Sequence, residues 1–117
     1  MKTPNAVAAL AALAQDNRLD IFRLLVQAGP DGMAAGQVAN KLGLAPNTLT
    51  FHFDRLRVAG LVTVRRDGRS MIYAAHYETM NGLLAFLTEN CCQGAPASCA
   101  PVECKPTRSA RKKERIA

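Results

Sequence analysis

The sequence predicts a mainly α domain of the α+β kind, with five helices and one β-hairpin in 117 residues. Three observations predict it. Apolar residues recur at helical spacing in five separate stretches, while one stretch built around Asp67-Gly68 alternates instead. Beyond Asn90 the periodicity stops, and Pro96, Pro101 and Pro106 stand among small and charged residues that argue against a packed element. The division expected is therefore a folded unit over 1–90 and a separate segment over 91–117.

Pro4 opens a first helix through Ala14, with Val7, Leu10, Leu13 and Ala14 on one stripe. Asp16 is the expected N-cap of a second helix from Asn17 to Ala28, whose buried face is Leu19, Phe22, Leu25 and Val26. The "GPDG" at 29–32 ends it, by removing a donor and supplying free φ. A short helix follows over 35–42, with Val38, Ala39 and Leu42 inward and Gly43 as the residue that stops it.

In "LAPNTLTFHFDRLRVAG", Pro46 suits a first helical turn and Gly60 a stop. Leu49, Phe53 and Leu56 fall at i, i+4 and i+7 and so face inward. Asn47, Thr48, Phe51, His52 and Arg55 are left on the other faces, with Thr50 near the boundary. "LVTVRRDGRSMIYAA" reads as a hairpin turning on Asp67-Gly68, which pairs Val64 with Met71 and Val62 with Tyr73 and gathers Arg65, Arg66 and Arg69 at its tip. A last helix, about 76–90, carries Tyr77, Met80, Leu84 and Leu87. Helix, turn, helix and then a basic-tipped hairpin is a winged helix-turn-helix.

That order assigns a partner. A reading helix needs one apolar face to dock on its neighbour and short polar groups on the other, so that it can approach base edges. Asn47, Thr48, Thr50 and His52 supply the hydrogen-bonding groups; Phe51 is either partly buried or in contact with a base. Arg55 can reach a phosphate or a guanine, and Arg65, Arg66 and Arg69 can lie on the backbone or enter a minor groove. Asp54 would repel phosphate, so it should face away or pair with an arginine. Any one of these residues could be merely solvated; their order and spacing together carry the reading. Charge agrees. Of the net +6, residues 41–69 hold +4 and residues 91–117 another +4, so the remainder is −2. The block at 41–69 is the stronger indication of nucleic acid, because a solvated basic tail needs no partner.

Size and compartment add limits. A chain this short buries one modest core, and apolar surface left over favours a dimer. The Ala/Leu run near the start is too short to span a bilayer and meets Asp16 at once, so no membrane segment and a cytoplasmic location are expected. No phosphate-cradling Gly loop, βαβ pattern or CxxC is present, which argues against an enzyme, with no catalytic residue or catalytic cofactor expected.

"ALAQDNRLDIFRLL", "TLTFHFDRLRVAGLV" and "GRSMIY" together resemble the second helix, the recognition helix and the wing end of the ArsR/SmtB metal-responsive repressors, over about residues 5–90. The resemblance implies a homodimer built by the first and last helices, which binds double-stranded operator DNA and leaves it when an effector binds. Two common effector sites of that family are missing. The last helix offers His76, Glu78 and Glu89 with no second histidine, and "AAGQVANKL" holds no cysteine.

The four cysteines, Cys91, Cys92, Cys99 and Cys104, all lie in "NCCQGAPASCAPVEC". In a reducing cytosol such a cluster suggests ligands or redox groups. Soft thiolates favour thiophilic ions such as As(III), Sb(III), cadmium or copper(I). Trivalent arsenic takes three thiolates in a pyramid. Adjacent Cys91 and Cys92 cannot point the same way on a regular helix, so the terminus must fray, which Asn90 and Gly94 permit; Cys99 then folds back across "QGAPAS". A cysteine pair closing the last helix, with a third thiol soon after, resembles the arsenite-responsive members of the family. The expected ligands are Cys91, Cys92 and Cys99, with Cys104 as a substitute, a spare thiol or a bystander. Other readings of the same residues are a redox-sensing thiol pair, a two-thiol methylarsenite site, and a four-sulfur cadmium or zinc site, which lacks the paired CxxC knuckles of structural zinc.

Overall fold

A computed structural model describes residues 1–94. Cys99, Cys104 and the basic segment lie outside the described residues. In chain order the elements are α1 (Thr3–Leu13), α2 (Asp16–Ala28), β1 (Met33–Ala34), α3 (Ala35–Leu42), α4 (Pro46–Val58), β2 (Val62–Asp67), β3 (Ser70–Ala75) and α5 (Tyr77–Leu87). A one-turn 3-10 segment, Cys91–Gly94, follows. Five helices and a hairpin match the expected class. The strand β1 was not expected: it adds to the hairpin as an edge, pairing Met33 with Tyr73 and Ala34 with Ile72 in a sheet ordered β1-β3-β2. Two residues are too few to show any periodicity.

The inward face of α1 is Ala6, Ala9 and Ala12, not the larger residues. Small side chains let α1 approach the body closely. Val7, at 57% exposure, and Leu10, two residues of the expected stripe, point outward. Helix α2 is capped by Gln15, whose Oε1 accepts from the Arg18 backbone N–H at 3.0 Å. Asp16 is instead the first helical residue, where a negative charge faces the positive end of the helix dipole. Helix α2 buries Ile21, Phe22, Leu24 and Leu25; Leu19 is exposed rather than sunk.

Pro46 begins α4, and Gly60, with φ 78°, turns the chain into β2. Leu49, Phe53 and Leu56 are buried as their spacing predicts. Phe53 lies face to face with Tyr73 of β3, the ring centroids 3.6 Å apart and the planes within 1°. That stack fixes α4 against the sheet. The hairpin register differs from the expected one. Val64 pairs with Tyr73, Val62 with Ala75 and Asp67 with Ser70, so the turn is Gly68-Arg69. Gly68 takes φ 65° and Arg69 is not among the residues of positive φ. A glycine first in a two-residue turn needs only that one positive φ; the expected Asp67-Gly68 turn would have imposed positive φ on Asp67 as well. The shift moves each pair by two residues in total, so the faces are unchanged.

His52 is a further correction. It was expected on the outward face of α4, yet it is 6% exposed. It sits one helical step from Leu56 and meets Arg18 of α2, with Nδ1 3.4 Å from Nη1. A guanidinium only donates, so Nδ1 accepts and is the unprotonated nitrogen. Arg18 Nε also donates to the Ala12 carbonyl at the end of α1, at 2.6 Å. One side chain thus joins α1, α2 and α4.

Helix α5 is shorter than expected. His76 precedes it, and it closes at Leu87 because Thr88 turns its hydroxyl back onto the Leu84 carbonyl at 2.8 Å and Asn90 takes φ 56°. Its start is pinned. The His76 N–H donates to the Leu61 carbonyl at 2.8 Å, His76 Nδ1 donates to the Gly60 carbonyl at 3.0 Å, and Tyr77 Oη donates to the Val26 carbonyl at 2.8 Å.

Two outcomes test this packing. A Cβ at Gly32 (φ 79°) would stand 2.5 Å from the Tyr73 carbonyl oxygen, whereas one at Gly36 meets nothing within 4 Å. Gly32→Ala should therefore cost roughly 2 kcal/mol or more, through backbone strain and a clash with the β1-β3 pairing. Gly36→Ala should be neutral or stabilise by about 0.5 kcal/mol, both read from urea unfolding.

The second concerns acid. Burial first, and the Arg18 charge second, hold His52 below the ordinary imidazole range. The unfolded chain takes up that proton from about pH 6.5 downward while the fold resists it. Stability should then fall as pH drops through 6.5 toward the lowered folded value. Thermal melts across this window should show a shallower loss for His52→Gln, which keeps an acceptor for Arg18 but does not titrate.

Candidate nucleic-acid interface and thiol segment

With Leu49, His52, Phe53 and Leu56 turned inward, the opposite side of α4 presents Asn47, Thr48, Phe51 and Arg55, all exposed. At 100° per residue these four span about 100° of arc. Thr50 is exposed at the side of this arc, and its hydroxyl donates to the Pro46 carbonyl at 3.0 Å, leaving its oxygen lone pairs outward. Phe51 is 52% exposed. The Arg55 guanidinium carbon lies 5.2 Å from its ring centroid, so the ring steadies the cation in a fixed direction. Asp54 pairs with Arg57 at 2.7 Å, which offsets the one acidic charge on the helix.

The wing supplies the remaining charge. Arg65, Arg66 and Arg69 are all exposed, and Arg66 Nε donates to the Gly68 carbonyl at 3.4 Å across the turn. Since the turn is Gly68-Arg69, Arg69 occupies the tip while Arg65 and Arg66 stand on β2. Of the nine residues expected at DNA, eight are on exposed positions of α4 or the hairpin; His52 is not. What sequence reading missed is the joint between reader and frame. The Arg18–His52 contact spans 34 residues, and no local pattern announces it.

A second surface is apolar. Val7 and Leu10 of α1 and Leu84 and Leu87 of α5 are exposed. A groove of about 310 Å³ between α1, α2 and α5 is walled by Leu13, Phe22, Val26, Met80 and Leu83. Helices α1 and α5 thus share one unfilled apolar side.

The thiols follow α5 directly. Cys91 is half-buried and Cys92 exposed. Asn90, Cys92 and Gln93 take φ of 56°, 55° and 51°, so the chain leaves the right-handed helix before the first thiol and turns left-handed at the second. Among the described residues no three His, Cys, Asp or Glu groups converge as a metal site. Also among these residues, no helix is long and apolar enough to cross a membrane.

A helix-turn-helix domain family matches residues 13–65. The nodulation protein NolR of Rhizobium meliloti is 34% identical over 80 residues, 68% of this chain and 63% of that protein, so the chain spans less than two thirds of its length. The HTH-type transcriptional regulator YgaV of Escherichia coli is 31% identical over 87 residues, 74% of this chain and 86% of that protein. Among solved structures, a homodimeric winged helix-turn-helix DNA-binding domain from Mycobacterium bovis, described as a possible ArsR-family regulator, aligns with TM-score 0.61 and 29% identity, over 73% of this chain and 76% of that one. A possible transcriptional regulator for arsenical resistance aligns with TM-score 0.60 and 26% identity, over 68% and 79%. With the reading helix, wing and relatives in agreement, the chain belongs to the winged helix-turn-helix transcriptional regulators of the ArsR/SmtB-like type.

Proposed function

We propose that the protein is a metalloid-responsive repressor: a homodimer that holds operator DNA and lets go when trivalent arsenic or antimony is bound by Cys91, Cys92 and Cys99. The observation that carries the effector half is the left-handed break after α5. On a continuous helix, successive side chains diverge by about 100°. With Asn90 and Cys92 at positive φ, Cys91 and Cys92 are freed from that divergence. Three thiols and As(OH)₃ give a tris-thiolate and three waters, with no change of oxidation state. The likeness to a possible transcriptional regulator for arsenical resistance points the same way.

The dimer half rests on the unfilled apolar side of α1 and α5 and on the homodimeric relative. A second copy covering Val7, Leu10, Leu84 and Leu87 would set the distance between two α4 helices, at about 10–10.5 bp or a multiple. Closing the thiols bends the far end of α5, and its near end is pinned through His76 to Gly60 and Leu61, where α4 ends. Effector and operator therefore act on one rigid rod. A coupling of about 1–3 kcal/mol would weaken DNA binding some 5- to 150-fold.

In the test, Cys91, Cys92 and Cys99 are replaced together by serine and operator-fragment binding is titrated with arsenite, methylarsenite, antimonite, cadmium and zinc under reductant. The expected outcome is unchanged binding without effector and loss of release by arsenite and antimonite. Release of the triple variant by arsenite would refute the site. Release of the wild type by peroxide, with indifference to arsenite, would assign the same thiols to a redox sensor.

A further inference from the structure

The outward arc of α4 is polar except at its centre. Asn47 and Thr48 lie on one side of Phe51 along the helix and Arg55 on the other, one turn away in each direction. Phe51 is not part of the core cluster, and half its surface is open. Two ring contacts of Phe51 are resolved, with the Arg55 guanidinium at 5.2 Å and the His52 ring at 5.5 Å, inclined 63°. The inward turn of His52 matters here. The buried imidazole stands inclined beside the phenyl ring, which stays 52% exposed.

An exposed phenyl at the middle of a reading surface calls for an apolar target, and the surrounding charge restricts what kind of molecule offers it. Arg55 on the same helix and Arg65, Arg66 and Arg69 on the following hairpin select a polyanion over an apolar protein face. The major groove of duplex DNA presents one apolar group, the 5-methyl of thymine. We infer that Phe51 reads a thymine methyl in each half-site by apolar contact, with Arg55 aligned beside it by the ring. This rests on the operator-binding reading and adds to it a base and the residue that recognises it.

Uracil separates this contact from all others, because it pairs as thymine does and lacks only the methyl. The wild-type protein is first used to select duplexes from a randomised pool. Each thymine of the selected duplex is then replaced by uracil in both half-sites, and binding is followed by fluorescence anisotropy. One thymine per half-site should prove sensitive, the loss being about fourfold per half-site, the scale of one buried methyl. For Phe51→Ala, thymine and uracil duplexes should bind alike, and selection with that variant should lose the thymine while keeping the other positions. An unchanged melting temperature confirms that the exposed ring is not structural. Wild-type indifference to every uracil would overturn the inference, as would equal sensitivity in Phe51→Ala, or an intact fold that binds no duplex at all. Failure of the wild type to enrich any duplex would instead remove the operator reading beneath it.

Discussion

Arg18 is the constraint on which the placing of the reading helix depends. Its backbone N–H is capped by Gln15, its Nε meets the last turn of α1, and its Nη1 faces His52 on α4. Three helices that could slide on greasy alanine and leucine contacts are thereby given one angular setting. Apolar packing alone is non-directional; a planar cation with fixed donor directions is not. The arrangement requires a neutral imidazole, because a protonated one would set two cations face to face in a partly dehydrated place. Burial and the nearby guanidinium both favour that neutral form. The outward presentation of Asn47, Thr48, Phe51 and Arg55 is thus the reverse side of an inward polar joint.

The second constraint is size. Ala6, Ala9 and Ala12 bring α1 close but bury little area, and the larger Val7 and Leu10 are spent on the outside. A single copy therefore has a core of modest size and an open apolar side made from its first and last helices. Covering that side with a second copy would add burial where the core is thinnest and link the two reading helices through α5. Stability and half-site spacing would then come from the same contact. An effector acting near α5 need not deform the reading helix; it need only alter how two copies meet.

Much of this was legible along the chain, and the failures share a cause. The limits of α3 and α4, the inward trio Leu49, Phe53 and Leu56, and the stop at Gly60 follow from periodicity and local backbone preference, which sequence displays directly. The pairing of Asp54 with Arg57 was likewise foreseeable from three-residue spacing. His52 was misplaced because its angular position on α4 borders both faces, and only Arg18, 34 residues away, decides between them. The hairpin turn was misplaced by one position because Asp-Gly is compatible with two registers that keep the same faces.

The thiol segment makes a final energetic point. A non-glycine residue in the left-handed region costs roughly 1–2 kcal/mol, somewhat less for asparagine. Asn90, Cys92 and Gln93 all occupy it, within four residues of chain. Such a turn is a shallow minimum, close in free energy to other routes out of α5. The energy by which one ligand must favour a single route is then comparable with the coupling of about 1–3 kcal/mol that regulation needs. A rigid, well-capped helix end would have resisted thiolate closure with the full cost of unwinding. If the proposed trivalent arsenic site forms, a terminus already turned away from helical geometry would let most of the sulfur–arsenic bonding appear as affinity, and would divert only a small part into moving α5, whose start is tied through His76 to Gly60 and Leu61 just after α4.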